Sequence, residues 1–183
     1  MANVFCLKRL KNLVRKHTII CWEVIKPPYA NVSGDTHLTV TLQKITRDNW
    51  EECIDLKVSK DQQGFIASNL YSLAEVQFLP NFEALAIYAD KKMVGFTMYG
   101  LDEDDHNYWI YRIMIDEKYQ GNGYGTKALL QVIENIKLKP DAKEIIIGYI
   151  PDNIEAERTY LRAGFQSNGL APWGEKLVSL KLI

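Results

Sequence analysis

Three glycines, Gly121, Gly123 and Gly125, alternate at the junction between a run suited to a strand and a run suited to a helix, and no other stretch constrains the fold as tightly. Upstream, Trp109, Ile110, Tyr111, Ile113, Met114 and Ile115 predict a strand, with Asp116-Glu117-Lys118 as its polar exit. Downstream, Ala128, Leu129, Val132, Ile133 and Ile136 recur every three or four residues, the spacing of a buried helix face. Glycines at such a turn take dihedrals that a β-carbon opposes and leave N–H groups pointing outward at a helix N-terminus, where a phosphate fits. Gln120, Gly121, Asn122, Gly123, Tyr124, Gly125 and Thr126 are therefore the first candidate ligand-binding residues. No Gly-Lys-Ser/Thr follows at triphosphate-loop distance, and the glycines do not spell G-x-G-x-x-G, which argues against both common nucleotide fingerprints. On these residues alone, a glycine-rich turn with no ligand stays open.

A second pattern follows another predicted strand, residues 144–150, which ends at Pro151-Asp152-Asn153. Asn153, Ala156, Tyr160, Gly164 and Phe165 stand at the spacing N-x-x-A-x-x-x-Y-x-x-x-G-F, with Gly164 as the expected helix stop. Gln120, Gly123 and Gly125 stand at the spacing Q/R-x-x-G-x-G/A. Together, in this order, the two patterns resemble the GCN5-related N-acetyltransferases, and the resemblance covers residues 38–183. It implies a mixed α/β (α+β) fold: a mostly antiparallel sheet of about seven strands flanked by helices, with a splayed strand pair at the cofactor site. It also implies acetyl-CoA as cosubstrate. The main chain of Ile113, Met114 and Ile115 would pair with the pantetheine arm, residues 120–126 would hold the pyrophosphate, and Asn153 and Ala156 would complete the cofactor site. Tyr160 would be the general acid of a direct transfer, a phenol of reference pKa about 10 that keeps its proton at neutral pH. Relatives that acetylate polyamines often carry an acidic residue on the strand before the glycine turn. Here Tyr111 and Arg112 stand there, so the sequence names no general base; Glu83 and Glu175 are the nearest candidates to assist a water chain.

Composition suits a small cytoplasmic enzyme. A chain of 183 residues, 47% hydrophobic and 25% charged, can bury one substantial core. Residues 1–37 hold six Lys or Arg against Glu23 and Asp35, a net of +4, which leaves −5 of the overall −1 for the rest. An acidic domain does not suggest nucleic acid and suits a cationic substrate. Cys6, Cys21 and Cys53 and the scattered His17, His37 and His106 give neither a disulfide framework nor a metal motif, so no metal is expected. No apolar run approaches a membrane span, and Thr18-Ile19-Ile20-Cys21-Trp22 is too short for a signal core. Residues 1–37 lie outside the family pattern. Val4, Leu7, Leu10 and Val14 would make one basic amphipathic helix, with Pro27-Pro28 and Ser33-Gly34-Asp35 as a linker; an extension without catalytic role and a surface-binding helix both stay open.

From Leu38 the pattern predicts a strand at 39–45 and a helix capped by Thr46 or Asp48 with Trp50, Cys53, Ile54 and Leu56 inward. A second helix, 69–78, follows, capped by Ser68 and stopped by Pro80, and then strands at 84–89, 94–101, 108–115 and 177–182. Three segments, 69–75, 94–101 and 115–121, resemble the bacterial diamine, spermine and spermidine acetyltransferase branch, which implies a small primary amine as acceptor. The acidic hairpin Asp102-Glu103-Asp104-Asp105 would then raise the local concentration of a polycation, or would simply be solvated. An antibiotic, an amino acid or a protein N-terminus as acceptor, and a non-catalytic acyl-CoA-binding module, are the alternatives; a homodimer is compatible with all of them.

Overall fold

The computed structural model describes the backbone of residues 19–21 and the whole of residues 39–182. The amphipathic helix and the linker expected within residues 1–37 lie outside the described residues. In chain order the elements are β1 (Ile19–Cys21), β2 (Val40–Lys44), α1 (Trp50–Asp55), α2 (Asn69–Glu75), β3 (Phe82–Ala89), β4 (Lys92–Leu101), β5 (Tyr108–Ile115), α3 (Tyr124–Lys137), β6 (Glu144–Tyr149), α4 (Ile154–Arg162), β7 (Gln166–Leu170) and β8 (Lys176–Lys181), with 3-10 turns at Lys60–Phe65, Val76–Phe78 and Glu117–Tyr119.

The strands form one sheet in the order β2-β3-β4-β5-β6-β8-β7, with β1 added beside β5. Neighbours in that order run antiparallel except β5 and β6, which are parallel and share only two pairs, Tyr108 with Ile145 and Trp109 with Ile146. Beyond Trp109 the two strands part, as expected from the sequence. Parallel strands require a crossover. Here α3 supplies it, so the turn after β5 and the start of α4 after β6 meet at the same end of the opening.

Two apolar layers sandwich the sheet. On one face Ala128, Leu129, Val132, Ile133 and Ile136 of α3 pack with Ala156 and Tyr160 of α4 against Ile110, Ile113, Ile115, Ile145 and Ile147. Burying each Leu, Ile or Val of that stripe contributes about 1.5–3 kcal/mol, which is why the helical periodicity was visible in the sequence. On the other face Cys53 and Leu73 of the two short helices pack with Phe96, Met98, Trp109, Tyr111 and Met114.

The local signals held for α2, where Ser68 Oγ accepts the Tyr71 N–H. They did not for α1. Its N-cap position is Asn49, whose Oδ1 accepts the Thr46 N–H at 2.7 Å, and Trp50, expected inward, is 39% exposed, Cys53 being the buried residue of the helix. The helix expected over 69–78 is α-helical to Glu75 and then tightens to 3-10.

Candidate active site

The glycine turn is shaped by its own polar side chains. Gln120 Nε2 donates to the Ile115 carbonyl at 2.9 Å and to Gln62 Oε1 at 3.0 Å, tying the turn to the end of β5. Asn122 Nδ2 donates to the carbonyls of Tyr119 and Gln120. Gly121 and Gly123 have φ of +84° and +75°, and a β-carbon at either would meet nothing within 4 Å. The turn is thus held in a left-handed conformation beside open space. Gly123 is the N-cap of α3; among the described residues no side chain caps the helix, and no acid lies in its first turn, which suits its N-terminal dipole to an anion. The open cradle and bare helix end suit a pyrophosphate.

Across the opening, Asn153 caps α4, its Oδ1 accepting the Ala156 N–H at 3.1 Å. Its side chain is thereby committed to orienting that helix. Tyr160, about two turns beyond Asn153, is fully buried, with ring centroids 5.7 Å from Tyr149 and 5.9 Å from Phe165. Burial, and secondarily the neighbouring Tyr149, hold its hydroxyl well above the ordinary phenol range.

Between these two groups lies the half of β5 that does not pair with β6. Ile113 and Ile115 face the α3/α4 layer and Met114 the opposite layer, which leaves their main chain along the strand edge. That edge carries β1 in parallel register, Ile19 opposite Arg112, Ile20 opposite Ile113 and Cys21 opposite Met114. Two of the three residues expected to pair with the pantetheine arm are therefore paired with the chain's own N-terminal strand.

A bulge in β5 determines what faces the other layer. Met98 of β4 is opposite Arg112 and Tyr99 opposite Ile110, so Tyr111 is the extra residue. Alternation shifts phase at the bulge, and Tyr111 and Arg112 both turn toward α2. Arg112 is 0% exposed; Nη1 donates to the Tyr111 carbonyl and Nη2 to Glu75 Oε2, both at 2.9 Å. The Tyr111 hydroxyl donates to the buried Asp102 at 2.8 Å, and its ring packs on Phe82 and Trp109. From β6, Gly148 faces Glu175, a 2% exposed carboxylate that accepts from Trp173 Nε1 at 2.7 Å. The pair Glu75–Arg112 was not foreseen, although an arginine inside an otherwise apolar strand was itself a signal: a buried guanidinium needs a counter-charge. Of the acids named from sequence, Glu83 bonds the half-exposed Lys139 and borders Tyr99, in the α3/α4 layer, so it does not reach this face; Glu175 does.

Among the described residues no group of three or more His, Cys, Asp or Glu is placed to hold a metal, and no helix is long and apolar enough to cross a membrane.

Comparison with known proteins bears on this geometry directly. The chain is 35% identical over 152 residues to the spermine/spermidine N(1)-acetyltransferase of Bacillus subtilis, covering 79% of this chain and all of that protein. Its fold is similar to the aminoglycoside acetyltransferase AAC(6')-Ib in complex with coenzyme A, with a TM-score of 0.66 at 19% identity over 79% of this chain and 95% of that one. It is also similar to the PaiA N-acetyltransferase of Thermoplasma acidophilum in complex with coenzyme A, with a TM-score of 0.60 at 17% identity over 79% and 99%. The protein is an N-acetyltransferase with acetyl-CoA as donor. The family model that matches residues 42–165 is the Acetyltransferase (GNAT) family, and the chain belongs to it.

Proposed function

We propose that the protein transfers the acetyl group of acetyl-CoA directly to a primary amine of a polyamine or similar small cation, with Tyr160 as general acid. The observation that carries the acceptor is the charge of the α2 side of the opening. Glu75 and Glu175 are buried there against Arg112, the one buried cation among the described residues, beside the rings of Phe82, Trp109, Tyr111 and Trp173. Carboxylates and aromatic faces together favour an ammonium ligand. The 35% identical spermine/spermidine acetyltransferase supports the same reading.

In this reading acetyl-CoA supplies an activated thioester. The main chain of residues 113–115 pairs with its pantetheine arm, and residues 120–126 hold its pyrophosphate by backbone N–H groups, with the α3 dipole adding about 0.3–1 kcal/mol, up to ~2 if partly buried. Ala156 N–H is already bonded to Asn153, so these two residues serve by fixing the start of α4 and hence the place of Tyr160. The raised Tyr160 hydroxyl keeps its proton across the working pH range, and gives it to the departing thiolate.

A thiol-release assay over spermine, spermidine, short diamines, an aminoglycoside, free amino acids and a peptide N-terminus tests the acceptor. The polyamines should give the highest kcat/KM. A higher value for any other class would reassign the acceptor.

A further inference from the structure

We propose that Glu75 is the base of the reaction, receiving the acceptor's ammonium proton on Oε1, and that Arg112 is the positioning residue that holds it there. The proposal rests on the small-amine reading above and supplies the group that the sequence left unnamed.

The geometry is as follows. The Glu75 side chain is 6% exposed and bonded through Oε2 alone; Oε1 is buried with no hydrogen-bond partner among the described residues, and so is Arg112 Nε. Buried polar atoms are nearly always paired, so a carboxylate oxygen left bare beside a fixed guanidinium calls for a donor beyond the described residues, and the acceptor's ammonium is one. Its place is at the opening. Arg112 is three residues beyond the last β5–β6 pair, and Gly148, which seats Glu175, is two residues beyond it on β6. Glu75, Arg112 and Glu175 thus stand across the mouth of the splay, immediately before the edge formed by residues 113–115. The bulge at Tyr111 is what turns Arg112 to this face, so the strand delivers its carboxylate through an arginine and a helix instead of carrying it.

The charged and titratable groups around the pair are Tyr71 of α2, Tyr111 of β5 and Glu175 from the turn before β8, all acting on Arg112. Burial raises Glu75 above the ordinary carboxylate range, with Arg112 partly opposing the shift. A carboxylate whose pKa is raised is a stronger base than an ordinary one, and so better matched to an ammonium.

The proton balance is simple. Glu75 carboxylate takes one proton from the ammonium and becomes a carboxylic acid. The neutral nitrogen attacks the thioester carbonyl, the C–N bond forms and the C–S bond breaks with its electron pair leaving on sulfur. Tyr160 protonates the thiolate and is reprotonated by the second proton lost from nitrogen, and Glu75 returns its proton to water.

The test compares wild type, Glu75→Gln and Glu75→Asp on whichever primary amine the wild type acetylates fastest, so that failure of the polyamine reading changes only the acceptor. Glu75→Gln keeps an oxygen for Arg112 Nη2 but removes its counter-charge, so melting should occur at a lower temperature than wild type; that the variant is folded at the assay temperature is checked by calorimetric titration of coenzyme A, expected to match wild type. Its kcat should fall about 10²–10⁴-fold. The acid limb of its pH profile should move to the alkaline side, where the amine is neutral unaided, whereas Glu75→Asp should keep the limb in the acid range. An amine weakened by fluorine substituents, neutral at pH 7, should lose far less with Glu75→Gln. An unmoved limb, or equal losses on ordinary and fluorinated amines, would overturn the assignment and leave Glu75 a structural partner of Arg112.

Discussion

Glu175 Oε2 lies 2.7 Å from the point where a β-carbon on Gly148 would stand. The glycine of β6 is therefore the seat of a buried carboxylate, and Trp173 closes over the same oxygen through its indole N–H. In the proposed reading, strand and turn would form one side of the acceptor site by this contact. Gly148→Ala should push Glu175 and Trp173 outward, costing about 1–3 kcal/mol in stability, the range of an overpacked core. KM for the amine should rise, with coenzyme affinity unchanged. Denaturant unfolding and steady-state kinetics check the two parts; an unaltered amine KM would remove Glu175 from the acceptor side.

Tyr160→Phe removes one hydroxyl from a fully buried ring. Coenzyme affinity should persist and kcat should fall about 10²–10⁴-fold. A second readout comes from alkaline stability. Because the folded-state pKa of Tyr160 is raised, its proton is held in the folded state and released in the unfolded state above pH ~10, so stability falls as pH rises, by about 1.4 kcal/mol per pH unit for this group. The phenylalanine variant should lose that much of the slope in urea unfolding between about pH 10 and 11.5. A variant with wild-type turnover would demote Tyr160 to a packing residue.

The register of β1 with β5 sets the next expectation. If the pantetheine arm takes the edge at residues 113–115, it displaces β1 from Ile113 and Met114. Deleting residues 1–37 should leave kcat nearly unchanged, since every proposed site residue lies beyond them. It should tighten acetyl-CoA binding by about 1–3 kcal/mol, the net worth of two or three backbone hydrogen bonds, which is roughly five- to 150-fold. Calorimetry on both proteins decides: equal affinities would mean that strand and arm do not compete, and weaker binding by the truncated protein would make β1 part of the fold.

What the sequence revealed and what it hid separate along physical lines. β5, β6 and α3 were legible because burial writes an apolar run or a helical stripe into the residues. β7 was not: Gln166, Ser167, Asn168, Gly169 and Leu170 are all exposed, an edge strand with no buried side to mark it. The glycine turn was legible as a spacing. The bulge was not, because Trp109 to Ile115 reads as one continuous strand whichever way Arg112 points. Glu75 gains its meaning from a partner 37 positions away. Asp102, read as one of four hairpin acids, is buried because the Tyr111 hydroxyl reaches back to it, and Asp105 is held by Trp109 Nε1.

That last correction reshapes the test of electrostatic steering by the hairpin. Neutralising all four acids would cut the bonds to Tyr111 and Trp109 and confound attraction with damage, since leaving a buried partner unsatisfied costs about 1–3 kcal/mol. Glu103 and Asp104 are exposed, and the bonds to the Tyr111 hydroxyl and the Trp109 indole run to Asp102 and Asp105. Glu103→Gln with Asp104→Asn should preserve melting temperature and acetyl-CoA KM while raising KM for spermine about two- to fivefold at low ionic strength. The difference should shrink as salt shortens the Debye length to roughly 10 Å at 0.1 M and ~3 Å at 1 M. Spermine carries more charge than a short diamine, so the diamine should respond less. Identical spermine kinetics for the two proteins at low salt would reduce the hairpin tip to a solvated turn, leaving the buried carboxylates Glu75 and Glu175 as the charges that select the acceptor.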